Sequence, residues 1–325
     1  MTELAVADAP RGSAPWSVTA VEVLAREGFI VIFAIWAVYL SFATDHFLSH
    51  DNVLLLIRQA AIYSIVGIGA TLVTLLGELD ISFGATLSLA GCVSAAWIIG
   101  GTQPYVGIAI AVAVGSTIGL LNGLLVNYVR IPSVVATLGV MGAVEGLAQM
   151  YTRGSSIFGD ELDRLQFLSR DDVWSIPVPV LIAFALYAVA WWVTTCTRFG
   201  AHLFATGDNR EAAYRAGIRV QRIRLIVFVV AGALAGFAGL MQVTRVGRAQ
   251  SGLGADALFP VLTAVILGGT SLHGGRGRIV NTLIASVFLA SITNGLIQLG
   301  VASETQRLVQ GAVLVAAVSL DRLRK

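Results

Sequence analysis

The sequence predicts an all-α, polytopic integral membrane protein. Charged residues make up 12% of the 325 positions, about half the roughly 25% usual for soluble domains. Hydrophobic residues reach 56%, and mean hydropathy is +0.82. The apolar residues gather into runs of the length a helix needs to cross a hydrocarbon layer about 30 Å thick, roughly 20 residues. These features exclude a disordered chain, a nucleic-acid-binding protein and an ordinary soluble enzyme. The net charge of +2 points to no anionic partner. Cys92 and Cys196 lie far apart inside apolar runs, so neither a disulfide framework nor a metal clip is implied.

Ten apolar segments follow in order: 28–43, 53–76, 81–100, 105–126, 131–151, 177–195, 224–243, 258–272, 279–300 and 307–320. They predict about ten transmembrane helices. The weakest are 28–43 and 258–272, and the second has the length of a broken or re-entrant helix. Ser41-Phe42-Ala43 has the form of a signal-peptidase site. A secretory leader, however, starts short and positive, whereas this one carries Glu3, Asp8, Glu22 and Glu27 against Arg11 and Arg26. The first run is therefore an uncleaved span. Residues 1–27 form a cytoplasmic N-terminal tail, flexible over 1–18 around Pro10, Gly12 and Pro15. Residues 28–320 form the membrane domain, with a cytoplasmic loop at 198–222, and 321–325 form a C-terminal tail.

Basic residues set the orientation. With the N terminus inside, 14 of the 21 basic residues fall on the cytoplasmic side, among them Arg130, Arg198, Arg210, Arg215, Arg219, Arg222, Arg224, Arg276 and Arg278. Arg153, Arg164, Arg170, Arg245, Arg248 and Arg307 fall outside, with Arg58 near the outer end of the second span. The loop 152–176 adds Asp160, Glu161, Asp163, Asp171 and Asp172 and suits the outer face. Both termini are thus expected to be cytoplasmic.

Lipid provides no hydrophobic force between helices, so close backbone approach must hold the bundle together. Gly115, Gly119 and Gly123 form one small-residue stripe, and Gly232, Gly236 and Gly239 form another. Both predict packing seams. Polar residues within the spans are costly against lipid and should face the bundle interior or a wet path. Gln59, Asn122, Glu145, Gln149, Asn294 and Gln298 are therefore the candidate translocation-path residues. Glu145, flanked by Gly142 and Gly146, reads either as a substrate-path or gating carboxylate or as an interior carboxylate that is protonated or paired, with Arg58 as the candidate partner. Asp80 stands where it would cap the third span; a functional role stays open beside that one, and Ser82 carries no signal of its own.

The most informative polar stretch is the loop between the sixth and seventh spans. Asp208 followed by Glu211 has the form of a capping box, and Gly217 that of a C′ glycine. Between them a helix of about two turns is expected, spanning Asp208, Asn209, Arg210, Glu211, Ala212, Ala213, Tyr214, Arg215, Ala216 and Gly217. So short a helix is marginal alone in water. The residues leave two readings: a connector lying on the membrane surface, or a docking helix for a cytoplasmic partner.

Some chemistry is missing. A Walker A loop needs lysine before its Ser/Thr, and the sole lysine is Lys325. If ATP drives this protein, another chain binds it. His46 and His50 have metal-pair spacing but no supporting motif, so no metal site or cofactor is expected. The glycine-rich run 268–277 follows an apolar span rather than a strand, which favours a tight membrane turn over a phosphate cradle. No paired catalytic constellation is present.

Four ordered stretches carry a family resemblance. The loop from Gly200 through Ala205, Gly207, Asn209, Ala212, Ala213, Ala216, Gly217 and Ile218 resembles the coupling loop of ribose-type sugar permeases of ABC importers. Gly77-Glu78-Leu79-Asp80-Ile81-Ser82-Phe83-Gly84 is similar to that family's "G-G-I-D-L-S-V-G". Leu267-Gly268-Gly269-Thr270-Ser271-Leu272-His273-Gly274-Gly275-Arg276-Gly277 is similar to its "L-G-G-T-S-L-x-G-G-x-G". Asn122-Gly123-Leu124, Ile131-Pro132 and Thr137-Leu138-Gly139 follow the same order. The departure is Glu78, where the family usually has glycine, and it speaks against a close-backbone role for that position.

The resemblance implies a permease subunit of the bacterial inner membrane. It would form, with a second permease subunit, the path for a monosaccharide or similar small polar solute. Separate ATPase subunits would drive it and a periplasmic sugar-binding protein would supply it; 208–217 would be the coupling helix on the ATPase. The competing reading is an ion-coupled secondary transporter with Glu145 as its ion site. Its support is an echo between Gly77–Gly84 and Gly268–Gly275, and between Asn122-Gly123-Leu124 and Asn294-Gly295-Leu296.

Overall fold

In a computed structural model of the chain, residues 16–323 are described, with side chains described from 30 to 319. The first fifteen residues of the expected tail lie outside the described residues. Every one of the ten apolar runs contains a helix. They are α1 (Trp16–Ala43), α2 (His50–Leu75), α3 (Phe83–Ile99), α4 (Pro104–Leu124), α5 (Ser133–Thr152), α6 (Val178–Cys196), then, after two short helices α7 (Arg198–Asp208) and α8 (Arg210–Arg215), α9 (Val220–Val246), α10 (Leu258–Leu267), α11 (Ile279–Gln298) and α12 (Ser303–Leu323). The helix containing the first run begins at Trp16, well before the apolar residues do, so the stretch from Trp16 to Glu27 continues the span helix.

Among the described residues, six helices have the length and apolarity to cross a bilayer: α2, α4 with its extension to Val129, α5, α6, α9 and α11. Ile30–Ala43, α3 and Ala255–Leu267 are shorter apolar helices. The tenth run is carried by α12, which starts and ends in polar residues.

Local chemistry explains the boundaries. Ser49 caps α2 by accepting from Asn52 N–H at 3.4 Å. Pro104 and Pro179 sit in the first turn of α4 and α6, where a missing N–H costs nothing. At its C-terminal end α4 widens into a π turn, Leu125–Val129, closed by Arg130 at φ 62°. α9 stops at Gly247, whose φ of 79° ends the helix in the left-handed region. The loop after α5 folds as a 3-10 segment, Asp160–Leu168, and a small hairpin, β1 (Asp172–Val173) with β2 (Ile176–Pro177). Trp174 and Ser175 both take positive φ, as a two-residue turn of this hand demands.

α9 is the central post, packed against α2, α3 and α4. Phe228, Leu240 and Met241 on it are fully buried. The two glycine stripes meet across the α4–α9 seam. A Cβ at Gly115 would lie 2.1 Å from Gly232 O, and one at Gly119 would lie 2.1 Å from Phe228 O. The seam is therefore a backbone-to-backbone contact.

Candidate functional site

At the end of the molecule where α2 and α7 end and α11 begins, three segments meet backbone to backbone. Gly275 N–H donates to Leu75 O at 2.9 Å. A Cβ on Gly207 would lie 1.8 Å from Leu75 O and 2.6 Å from Gly275 N, so only glycine fits there. Gly77 and Gly274, both at positive φ, complete the contact. The glycine-rich run 268–277 is thus a non-helical turn packed under the 198–222 loop.

On this base the loop forms two helices, not one. α7 runs to Asp208, and the chain breaks at Asn209 (φ −150°, ψ 103°) before α8. Asn209, not Asp208, is the cap: its Oδ1 accepts from Ala212 N–H at 3.0 Å. Asp208 is spent as the last residue of α7, which corrects the expected capping box. The expected C′ glycine is found, with Gly217 at φ 82°. Its N–H donates to Tyr214 O and Ile218 N–H to Ala213 O, both at 3.0 Å, a Schellman closure. Of the α8 residues only Ala213 is buried; Arg210, Glu211, Ala212, Tyr214 and Arg215 face out. Arg215 pairs with Glu211 one turn away at 2.5 Å.

Under α8 lies an interaction the sequence did not suggest. Glu78, in the α2–α3 connection, is buried, and its Oε1 accepts from Arg210 at 2.7 Å and also from Arg224 at the start of α9. Arg210 donates further to Leu76 O at 3.2 Å.

The six candidate path residues separate into three places. Gln59, Asn294 and Gln298 converge on a cavity of about 570 Å³ enclosed by the ends of α2, α9, α10, α11 and α12 remote from the loop cluster. Asn52 anchors its polar wall: it exchanges two amide hydrogen bonds with Asn294 (3.0 and 2.7 Å) and accepts a third from Gln298 at 2.9 Å. Gln242, Arg245 and Gln310 also line the cavity, and Arg307 pairs with Asp256 at 3.2 Å on its edge. Asn52 was missed because it falls just before the apolar run 53–76 and reads as a loop residue, whereas α2 already begins at His50.

Asn122 lies elsewhere, fully buried. Its Nδ2 donates to Ser82 Oγ at 2.7 Å, and Ser82 donates from Oγ (2.6 Å) and N–H (2.8 Å) to Asp80 Oδ1. Asp80 therefore folds the turn before α3, while Ser82, expected to be silent, links it to α4. Ser133 and Thr137 of α5 accept from Leu79 and Ile81 N–H groups and hold the same strand of chain. Burial pushes the Asp80 carboxyl above the usual carboxylate range, against the pull of the two Ser82 hydrogen bonds.

Glu145 and Gln149 join neither group. Both are exposed on α5, on a side where Gly139, Gly142 and Gly146 have nothing within 4 Å of a would-be Cβ. The expected Glu145–Arg58 pair does not form: Arg58 binds Asp172 of the outer hairpin at 2.7 Å.

Residues 52–318 match the family model described as branched-chain amino acid transport system / permease component. The chain is 34% identical to the ribose import permease protein of Escherichia coli (strain K12), covering 87% of this chain and 89% of that one. It is 37% identical to the ribose import permease protein of Bacillus subtilis (strain 168), covering 89% and 90%. It is 33% identical to the D-allose transport system permease protein of Escherichia coli (strain K12), covering 91% and 90%. With the described helices, the multi-pass apolar pattern and these matches along nearly its whole length, the chain belongs to the membrane-embedded permease-component family of ABC importers.

Proposed function

We propose that this chain is the translocation subunit of an ATP-driven importer for a monosaccharide or a similar small polar solute, the solute class named in its ribose and D-allose relatives. Ten spans over residues 28–320 put both termini, 1–27 and 321–325, in the cytoplasm. The ATPase is a separate subunit, since this chain has no Walker A lysine. A periplasmic sugar-binding protein delivers the solute to the outer side.

The observation that carries the reading is α8. It is capped at both ends, exposed on all but one residue, and follows directly on the end of α7, where Gly207 and Asp208 meet Leu75 and Gly275 in backbone contacts too close for side chains to yield. Such a helix passes a push on its exposed face through the end of α7 to α2 and the 268–277 turn. Asp208 to Gly217 therefore form the docking element for the ATPase, with α8 as its rigid part.

The outer cavity supports the solute class. Its volume lies within the roughly 300–1,000 Å³ of small-molecule pockets. Its amides, Gln59, Asn294, Gln298 and Gln242, offer donors and acceptors in balance, which suits hydroxyls better than ions. Glu145 and Gln149 belong to a different surface, the one we assign to a second permease subunit, as a homo- or heterodimer. Asn122 is a structural link.

The test is co-purification of the tagged permease with its ATPase, paired with ATP-dependent uptake in proteoliposomes containing the receptor. Glu211→Arg, on the exposed face of α8, should abolish both while leaving the permease in the membrane. Uptake that persists with no ATPase present would overturn the reading.

A further inference from the structure

We propose that Glu78 is a positioning residue for the drive, an ionic latch that locks the docking helix to the membrane domain. This inference rests on the assignment of α8 as the ATPase-docking element. One carboxylate oxygen of Glu78 takes hydrogen bonds from two guanidinium groups on different elements, Arg210 at the start of α8 and Arg224 in the first turns of α9. Side-chain exposure is 6% for Glu78 and 12% for Arg224, so this pair is screened little by water. Arg210 is 45% exposed and reaches inward to the carboxylate from the docking surface.

The geometry gives the latch a specific role. Glu78 sits directly after Gly77, whose positive φ turns the chain out of α2, and its N–H is held by Val73 O at 3.3 Å. Its carboxylate is therefore fixed relative to α2. The same oxygen holds Arg224, which is fixed relative to α9. Arg210 thus ties α8 to two span helices at once, and a displacement of α8 must move both or break a charge-assisted bond in a buried setting. At a position where the resembling pattern has glycine, this chain supplies a carboxylate and makes the connection through charge. Removing Arg210 alone leaves Glu78 paired with Arg224, so the fold retains its buried ion pair.

The experiment uses the full complex of permease, ATPase and receptor in proteoliposomes and measures solute taken up per ATP hydrolysed. Arg210→Gln should lower this ratio roughly 5-fold or more, the lower end of the usual range for coupling between sites, read per assembled complex. Glu78→Gln, which also unpairs the buried Arg224, should lower it at least as far, and adding Arg210→Gln to it should lower the ratio no further, because the Arg210–Glu78 bond is already gone. Lys at 210, the charge-keeping Arg210→Lys, should restore part of the ratio. An unchanged ratio in an assembled Arg210→Gln complex would overturn the latch, as would additive losses in the double variant. If Glu78→Gln fails to assemble, the Arg210 variants decide alone. Glu211→Arg separates the two failures: retained ATPase binding in that variant defeats the docking reading itself, whereas loss of binding with a normal Arg210→Gln ratio defeats only the latch.

Discussion

Gly119→Ala should weaken the bundle by an amount set by the α4–α9 seam. A methyl at position 119 would sit 2.1 Å from Phe228 O, 2.9 Å from Phe228 C and 3.1 Å from Val229 Cα, all backbone atoms. No side chain can swing away to make room. Restoring even a 3.0 Å contact requires the two helices to part by about 0.9 Å, and a gap of that size forfeits roughly a quarter to a half of the dispersion at each affected contact. The separation spreads along the seam, because Gly115 and Gly232 each point a would-be Cβ at the other's carbonyl. Overpacking of this kind costs about 1–3 kcal/mol, or roughly 5- to 150-fold in the folding equilibrium constant, at tenfold per 1.4 kcal/mol. Gly142→Ala is the internal control. It is also an in-helix glycine in a span, but a Cβ there meets nothing within 4 Å, so its cost to the isolated subunit should stay within about 0.5 kcal/mol. Reversible unfolding of the purified permease in mixed detergent micelles measures both. Equal stabilities for the two variants would refute the argument that the stripe works by backbone contact.

Asn209→Ala should cost about 1 kcal/mol of local helix stability, the usual worth of an N-cap, read as faster amide exchange over residues 210–215; Asp208→Ala should leave that exchange nearly unchanged. Ser82→Ala should cost about 1–3 kcal/mol in the same unfolding assay, since it strands the Asn122 amide in a fully buried site. Asp80 sets a pH dependence. Its folded carboxyl holds its proton above the ordinary value near 3.9, so its contribution is complete below that pH and is lost as pH climbs through the raised folded value. Asp80→Asn should remove that loss on raising pH from the thermal stability of the purified subunit, and an unchanged pH profile would contradict the assignment. Gln59→Leu should reduce solute uptake while leaving ATPase co-purification intact, and normal uptake would remove the outer cavity from the path.

The helices were legible because membrane spans announce themselves through apolar length alone, and all ten runs contain one. Their ends were less so. The helix carrying the first run reaches back through polar residues to Trp16, because backbone hydrogen bonding does not stop where hydropathy does. The break at Asn209 was hidden by a local ambiguity: Asp208 and Asn209 are both good caps, and only the backbone turn at 209 decides between them. Glu78 was hidden for a different reason. Its partners lie 132 and 146 residues away in sequence, and a single carboxylate beside a span gives no sign of which arginines the fold will bring to it. Ser82 was silent for the same reason, its meaning residing in Asn122, 40 residues on.

Two glycine stripes with the same helical spacing turn out to be physically opposite. Gly115, Gly119, Gly232 and Gly236 are filled by each other's backbones, whereas Gly139, Gly142 and Gly146 on α5 face open space. Spacing alone cannot separate a seam already closed within the chain from one left for another chain, since both require small residues at intervals of three or four. What separates them is the company they keep. The closed seam has no ionisable residue beside its glycines, and its Asn122 is bonded within the chain to Ser82, but the open α5 face carries Glu145 and Gln149, both exposed on the single subunit. A carboxylate and an amide within a span are costly against lipid and tolerated against water or a polar partner. The α5 face is therefore unsuited to bilayer contact on two independent grounds, missing packing and unmet polarity. The second permease subunit proposed above would answer both at once, as a homo- or heterodimer, by bringing helix to helix along the glycines and enclosing Glu145 and Gln149.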